Sequence, residues 1–424
     1  MKTNIFRQAV YELRTQRVAS AVTIIGTAMA IFLVMTVIMI DRSTTAPYAP
    51  ESNRPRLLYG RNIHIASLEN NGNNSSGSMS LKTARRLYEG IEGVEHVAYL
   101  TTWNERIDAE QTGRPSAIVY RRYVDDNFWK VFNHTFLAGQ PFDRATIDSN
   151  DKVVILSEDA AMAITGAAPA EAIGQTVKIG QESRRITGVV ATASPLASYA
   201  YSQAFIPISE KDKPYNHHFG DISAVLLRNK ECPEEKVRSQ VVQHFADFNS
   251  ELKLSGDTLI YHGQPYTQEV AVSTISSNQT PDLTSKNREK FILMLILLLV
   301  PSVNMSAMTQ SRLKRRTAEM AIKRAYGATK TRLLGEILAE NMVLTLIGGI
   351  IGLAVSLIGC RLLANVVFTD TEFTGVDINV TFDMLFSWSL FGYALAACFL
   401  LNLLAAGIPA WRASHSAPAD ALRG

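Results

Sequence analysis

Cysteine is scarce in this chain: Cys232, Cys360 and Cys398 are the only three in 424 residues. Two of them fall inside apolar runs, which leaves neither a disulfide framework nor a structural zinc site to be read from spacing. No metal-ligand spacing links the scattered histidines (His64, His96, His134, His217, His218, His244 and His262), so each is read as structural. There is no Gly-x-Ser-x-Gly elbow and no Gly-x-x-x-x-Gly-Lys-Ser/Thr phosphate loop, so neither a serine hydrolase nor an ATPase is expected of this chain. Net charge is only +3, too small to argue for nucleic acid. The link at residues 364–383 has no Lys or Arg at all, against Asp370, Glu372, Asp377 and Asp383.

What is present is segregated. Mean hydropathy is near zero, yet four stretches at the two ends of the chain are long and almost free of charge. Residues 18–40, 291–308, 342–363 and 384–408 are each read as a transmembrane helix, long enough or nearly so for about 30 Å of hydrocarbon. Basic residues set the orientation. Lys2, Arg7, Arg14 and Arg17 precede the first stretch, and the 309–341 loop carries Arg312, Lys314, Arg315, Arg316, Lys323, Arg324, Lys330 and Arg332. The 1–17 segment, the 309–341 loop and the 409–424 tail are therefore expected in the cytoplasm, with 46–285 and 364–383 outside. None of the four stretches holds the buried ionisable residues expected of an ion-coupled carrier.

The 46–285 region reads as a mixed α/β domain. Residues 63–65 and 153–156 look like strands, 177–190 like a hairpin, and 205–207 like an edge strand stopped by Pro207. Ser80 is placed to cap one helix and Ser157 another, and 236–248 is amphipathic at helical spacing. Residues 70–78 are Gly/Ser/Asn-rich and read as a loop. Trp103, Phe128, Trp129 and Phe132 are read as core rather than as a ligand surface.

The 309–341 loop carries the clearest signal. Residues 317–325 can form an amphipathic helix that sets Met320 and Ile322 toward apolar surroundings and Lys323 and Arg324 toward water or phosphate. Gly327 is placed to end it in a left-handed conformation, and Thr329 to cap a helix running into the third span. An interfacial helix resting on membrane lipids and a docking helix for a partner protein both fit this pattern. In the third span, Gly348, Gly352 and Ser356 lie four apart and mark a helix-packing face. Pro301 with Asn304 in the second span marks a kink, with Asn304 in an interhelical hydrogen bond.

Residues 318–329 resemble the Arg-Glu-Ile-Gly-Ile-Arg-Arg-Ala-Leu-Gly-Ala-Thr signature of the FtsX-like and MacB-like (mechanotransmission) permeases of ABC transporters. They depart from it at Ala318, Ala321 and Tyr326, and more mildly at Met320 and Lys323. The tail with Pro409, Trp411, Arg412 and Pro418 is similar to that family's ending, and residues 153–161 and 173–190 resemble its periplasmic core module. The resemblance implies a non-catalytic permease subunit of the bacterial inner membrane, multi-pass, with both termini cytoplasmic. It implies a dimer with a second copy or paralogue, no cofactor of its own, and a separate cytoplasmic ABC ATPase that binds ATP. It also leaves room for a periplasmic adaptor. Glu319, Met320, Ile322, Lys323, Arg324 and Gly327 would then couple to the ATPase. Export of a drug, peptide or lipid is the leading expectation. Lipoprotein release or regulation of envelope enzymes is the alternative within the family, and a membrane-bound ligand receptor the alternative outside it.

Overall fold

The computed structural model describes residues 17–68, 74–209, 218–273, 278–315, 322–323, 326–368 and 373–415. These fall into two compact units. One holds the described residues within Met1–Ser43, Thr284–Val367 and Val380–Gly424; the other holds those within Thr44–Leu283 and Phe368–Asn379.

The first unit is helical. Its long helices are α1 (Arg17–Thr45), and, late in the chain, Leu283–Arg315, Lys330–Leu362 and Trp388–His415. They occupy the four places where nearly charge-free stretches stand in the sequence, because a long apolar run satisfies its backbone within the segment by coiling. Among the described residues, two segments are long and apolar enough to cross a membrane, Ser20–Thr45 and Thr331–Leu362, while Trp388–Leu400 is a shorter apolar stretch. The last long helix does not coincide with the 384–408 bounds expected of the fourth span. Met384 sits in a separate turn, Phe382–Leu385, started by Thr381, and the chain is extended at Phe386 before the long helix begins at Trp388. Large apolar side chains such as Ile25, Met29, Phe291, Ile296, Val303, Ile350 and Ile358 remain exposed along these helices, an apolar surface that water would not tolerate over this extent.

The second unit is α/β and shows thirteen strands among its described residues. In chain order they are β1 (Leu57–Gly60), β2 (Asn62–Ser67), β3 (Ser75–Ser78), β4 (Val94–Thr101), β5 (Glu105–Glu110), β6 (Ala117–Val124), β7 (Phe136–Gly139), β8 (Val153–Ser157), β9 (Thr176–Ile179), β10 (Glu182–Val190), β11 (Ala204–Pro207), β12 (Ile222–Arg228) and β13 (Asp257–Ile260). Its principal helices are α2 (Leu81–Tyr88), α3 (Glu158–Thr165) and α4 (Glu234–Lys253); the three later long helices of the first unit are α5 (Leu283–Arg315), α6 (Lys330–Leu362) and α7 (Trp388–His415).

Ten strands form one sheet in the order β1-β12-β4-β6-β11-β8-β10-β9-β5, with β7 beside β10. Strand β5 pairs with β9 and also back onto β6, so six strands close on themselves as a small barrel and leave no free edge there. Ala109, Val119, Val154, Leu156, Val177, Ile179, Ile186, Val189 and Ile206 fill it, together with Ala160, Ala161 and Ile164 of α3. A second core lies where α2 and α4 pack with β1, β4, β12 and the three-stranded sheet β13-β2-β3. Helix α4 buries Val237, Val241, Phe245, Phe248 and Leu252, steps of three and four that place every one on a single face. Each such side chain contributes about 1.5–3 kcal/mol by leaving water, so a charged residue at Val241 would expel that face of the helix.

Local signals hold well here. Ser80 Oγ accepts the Thr83 N–H at 3.2 Å, β9 and β10 form the hairpin, and β8 is buried throughout. Three expectations change. Residues 75–78, expected as loop, pair with β2 as an edge strand. Ser157 occupies the cap position of α3 but makes no capping bond; its hydroxyl donates to the Gln203 carbonyl instead. Strand β11 is interior, parallel to β6 and antiparallel to β8. Pro207 is tolerated because only Ala204 and Phe205 pair with β8, and the proline falls beyond that pairing.

Candidate functional site

Three constellations stand out, each inside one unit. The first is the connector between α5 and α6. Gly327 has φ of +89°, and the Ala328 N–H donates to the Lys323 carbonyl at 3.0 Å while Tyr326 N–H donates to that of Ile322. Gly327 thus takes the left-handed closing conformation expected of it, while of the 317–325 helix expected before it only residues 322–323 are described. Thr329 then caps α6 through its hydroxyl to Arg332 N–H. Lys323 Nζ reaches Glu336 Oε2 at 3.2 Å, and Arg332 approaches the other oxygen of the same carboxylate at 3.6 Å. Such a partly exposed pair adds at most about 1 kcal/mol, so it orients the connector on the first turns of α6 more than it stabilises it. Ile322, expected against apolar neighbours, is half-exposed, and Tyr326 is 90% exposed; the turn presents apolar surface that its own unit does not cover. Glu319, Met320 and Arg324 lie outside the described residues.

The second is the packing of α6. A methyl at Gly348 would come 2.7 Å from Thr27 Cβ and 2.9 Å from the Ile24 carbonyl oxygen, and one at Gly352 would overlap the Ala28 carbonyl oxygen. The two glycines therefore let the α1 and α6 backbones touch. Gly349, one residue round, faces Leu395 of α7. Ser356 is fully buried and donates to the Leu353 carbonyl of its own helix at 2.8 Å. Asn304 lies within α5, its side chain outside the described residues.

The third lies in the α/β unit and rests on the link between the two last long helices. Residues 373–379 form a strap that belongs to this unit. Phe373 is 5% exposed, with its ring edge-on to Tyr120 (5.0 Å) and Tyr201 (4.5 Å). Tyr120 Oη donates to the Thr374 carbonyl at 3.0 Å and accepts the Thr374 N–H at 2.8 Å. Beside the strap is a cleft of about 420 Å³ whose wall includes Arg106, Ile118, Tyr120, Asp159, Gln203 and Asp377. Sequence reading missed it, since a lone Phe in an acidic linker is its one local signal.

Buried polar groups elsewhere in this unit are structural. Arg54 and Glu51 form an ion pair at 2.6 Å with both side chains fully buried. Arg54 also donates to the Ala46 and Leu196 carbonyls, and Glu51 accepts the Tyr199 and Ala200 N–H groups. Burial disfavours the Arg54 cation, but the Glu51 carboxylate, together with the neighbouring Tyr48 and Tyr59, more than reverses this and holds its pKa above the usual value. Burial lifts the Asp125 carboxyl to about 8, against the Phe128 N–H that it accepts. His134, packed on Phe128, Trp129 and Phe205, is pushed down to about 3 by burial. Phe128 and Phe132 are core, whereas Trp103 is half-exposed beneath Arg61. His64 and His262, far apart in sequence, stack with Nδ1 and Nε2 2.9 Å apart. Among the described residues, no group of three or more His, Cys, Asp or Glu is arranged to hold a metal ion.

Residues 20–241 match the MacB-like periplasmic core domain, and residues 291–418 the FtsX-like permease C-terminal domain. The chain is 20% identical over 427 residues to an uncharacterized ABC transporter permease of Bacillus subtilis, YknZ, covering 98% of each. It is 25% identical over 304 residues to the macrolide export ATP-binding/permease protein MacB of Pasteurella multocida, covering 70% of this chain and 42% of that one. The MacB of a Shewanella species matches at 20% over 427 residues, 98% of this chain and 60% of that one. The chain thus spans about half the length of these MacB relatives. Among solved structures, the periplasmic region of MacB from Actinobacillus actinomycetemcomitans aligns at 14% identity and a TM-score of 0.33, over 47% of this chain and 88% of that one. The extracellular domain of a YknZ transporter from Gram-positive bacteria aligns at 12% and 0.34, over 47% and 100%. With the two domain matches together spanning most of its length, the chain belongs to the MacB-like, FtsX-like family of ABC transporter permeases, membrane proteins with a large extracellular domain.

Proposed function

We propose that this chain is the membrane subunit of an ATP-driven exporter, in which a separate cytoplasmic ATPase moves the extracellular domain from inside. Four long helices cross the membrane, both termini and the connector face the cytoplasm, and two such chains, identical or paralogous, work together in the inner membrane. The ATPase docks on the connector at Glu319, Met320, Ile322, Lys323, Arg324 and Gly327, and ATP binds the partner alone. The observation that carries this reading is mechanical continuity. The connector is closed by Gly327, capped by Thr329 and tied through Lys323 to Glu336. Helix α6 wedges onto α1 at Gly348 and Gly352, and the chain runs from α1 straight into the α/β unit. A push on the connector is thereby delivered along rigid helices rather than lost in a flexible loop. Exposed Ile322 and Tyr326 supply the apolar contact for docking.

Export by MacB relatives supports outward movement of substrate, whereas lipoprotein release or control of envelope enzymes would use the same stroke. The test is co-purification from membranes that also express a candidate partner ABC ATPase from the same genome. Wild type should capture that ATPase and raise its turnover, and Glu319→Lys should weaken both. Undiminished capture and stimulation by the variant would remove the connector from the mechanism.

A further inference from the structure

The cleft beside the strap is built from three directions. Strands β5 and β6 pair with Arg106 opposite Tyr120 and Asp108 opposite Ile118. Because side chains alternate along a strand, Tyr120 and Ile118 share one face with the cross-strand Arg106, while Val119 between them points into the barrel core. The opposing wall is a hydrogen-bonded relay. Gln203 Oε1 accepts the Tyr120 N–H at 3.0 Å, and Gln203 Nε2 donates to Asp159 Oδ2 at 2.8 Å. Thr192 donates its hydroxyl to Asp159 Oδ1 at 2.8 Å. Both oxygens of Asp159 are thus aimed by neutral donors, and each keeps a lone pair. The third wall is the strap itself, from Thr374 to Asn379, with Val376 as its apolar member.

Charge makes this more than a gap between elements. Among the described residues, neither Arg106 nor Asp159 has a counter-ion, although each lines the same cavity. A first-turn carboxylate on α3 is accounted for by the helix alone; the exposed Arg106 adds a charge of opposite sign to the same cavity, whose strap wall also carries Asp377. The volume of about 420 Å³ lies within the range of small-molecule sites, about 300–1,000 Å³.

We propose that this cleft binds a small zwitterion, with its carboxylate on Arg106, its ammonium group on Asp159, and Ile118 and Val376 against the short apolar span between them. An Arg fork reads a carboxylate through two parallel N–H bonds, and an oriented carboxylate with free lone pairs reads an ammonium group. A ligand lodged there bridges the barrel and the strap. The inference stands apart from ATP coupling and needs no ATPase to be tested.

The full chain in lipid nanodiscs, without any ATPase, would be titrated calorimetrically with the dipeptide leucyl-glycine. Two comparators each remove one charge: N-acetyl-leucyl-glycine lacks the ammonium group and leucyl-glycinamide lacks the carboxylate. Wild type should bind the dipeptide saturably at one site and each comparator about tenfold or more weakly, the worth of one charge-assisted hydrogen bond. Arg106→Ala should erase the preference for dipeptide over amide while keeping that over the acetylated form, and Asp159→Asn should do the reverse. Since Asp159 also serves α3, the comparator series on wild type and Arg106→Ala carry the test if the asparagine variant does not fold. Absence of saturable binding by wild type, equal affinity for all three ligands, or an unchanged preference in Arg106→Ala would each overturn the proposal. Loss of ATPase capture in the experiment above would leave these outcomes untouched.

Discussion

Opening of the strap can be predicted residue by residue. Tyr120→Phe keeps the ring against Phe373 but deletes the hydroxyl that both donates to and accepts from Thr374. Losing a partner costs about 1–3 kcal/mol for a buried group. Thr374 is exposed, so water replaces much of what is lost and the lower end applies. The opening equilibrium should rise about fivefold, since each 1.4 kcal/mol is a factor of ten. Phe373→Ala should do far more. Its ring is 5% exposed and meets two tyrosines edge-on. Removing a buried Phe costs about 3–5 kcal/mol, which corresponds to opening more than about a hundredfold more often. Hydrogen exchange followed by mass spectrometry, on the full chain in nanodiscs, reads this at peptides covering 368–379. Wild type should show protection at the Thr374 amide, partial loss in Tyr120→Phe, and near-complete loss in Phe373→Ala with little change in β8. If Phe373→Ala exchanges no faster than Tyr120→Phe, apolar insertion is not what holds the strap.

Two further outcomes follow from packing and burial. Gly352→Leu should drive α6 off α1, because even the first carbon would overlap the Ala28 carbonyl oxygen; overpacking of this kind costs about 1–3 kcal/mol. Gly335→Ala, with open space around it, should instead stabilise by up to about 1 kcal/mol through helix propensity, and thermal unfolding in nanodiscs that shifts both variants the same way would refute the contact. The Asp125 carboxyl titrates near 8 when folded and near 4 when unfolded, so the unfolded chain holds fewer protons between those values. Stability of the α/β unit should therefore fall as pH rises from about 4 to about 8 and then level off for this group. Asp125→Asn, which keeps an acceptor for Phe128 N–H, should flatten that slope in urea unfolding across a pH series, and coincident slopes would show that Asp125 is ionised in the folded state.

Much of this protein is local and therefore legible in the chain. Length and apolarity mark the four long helices, two of which hold segments long and apolar enough to cross a membrane, where a helix satisfies its own backbone. Gly327 and Thr329 punctuate the connector through bonds to residues at most five positions away. The α4 face and the β9–β10 hairpin follow from period and turn in the same way. The glycine spacing in α6 announces close packing, yet says nothing of its partner; the structure supplies α1 on one side and α7 on the other.

What the chain conceals depends on residues that meet across long separations. The Pro207 strand reads as an edge but lies inside the sheet, because the order of strands is a property of the assembled barrel. Polar 75–78 becomes a strand because β2 offers it a ladder. Arg54 and Glu51 are buried only because Leu196, Tyr199 and Ala200, far away in sequence, close over them. The strap is the extreme case. Tyr120 and Thr374 are 254 positions apart, and neither carries a local signal of the other. Sequence by itself determined where the chain coils, turns and enters an apolar phase, since those choices are made between near neighbours. Only the tertiary structure decided that the acidic linker is a wall of the α/β unit and that Arg106 and Asp159 share one cleft, because burial and charge pairing exist only once distant segments have met.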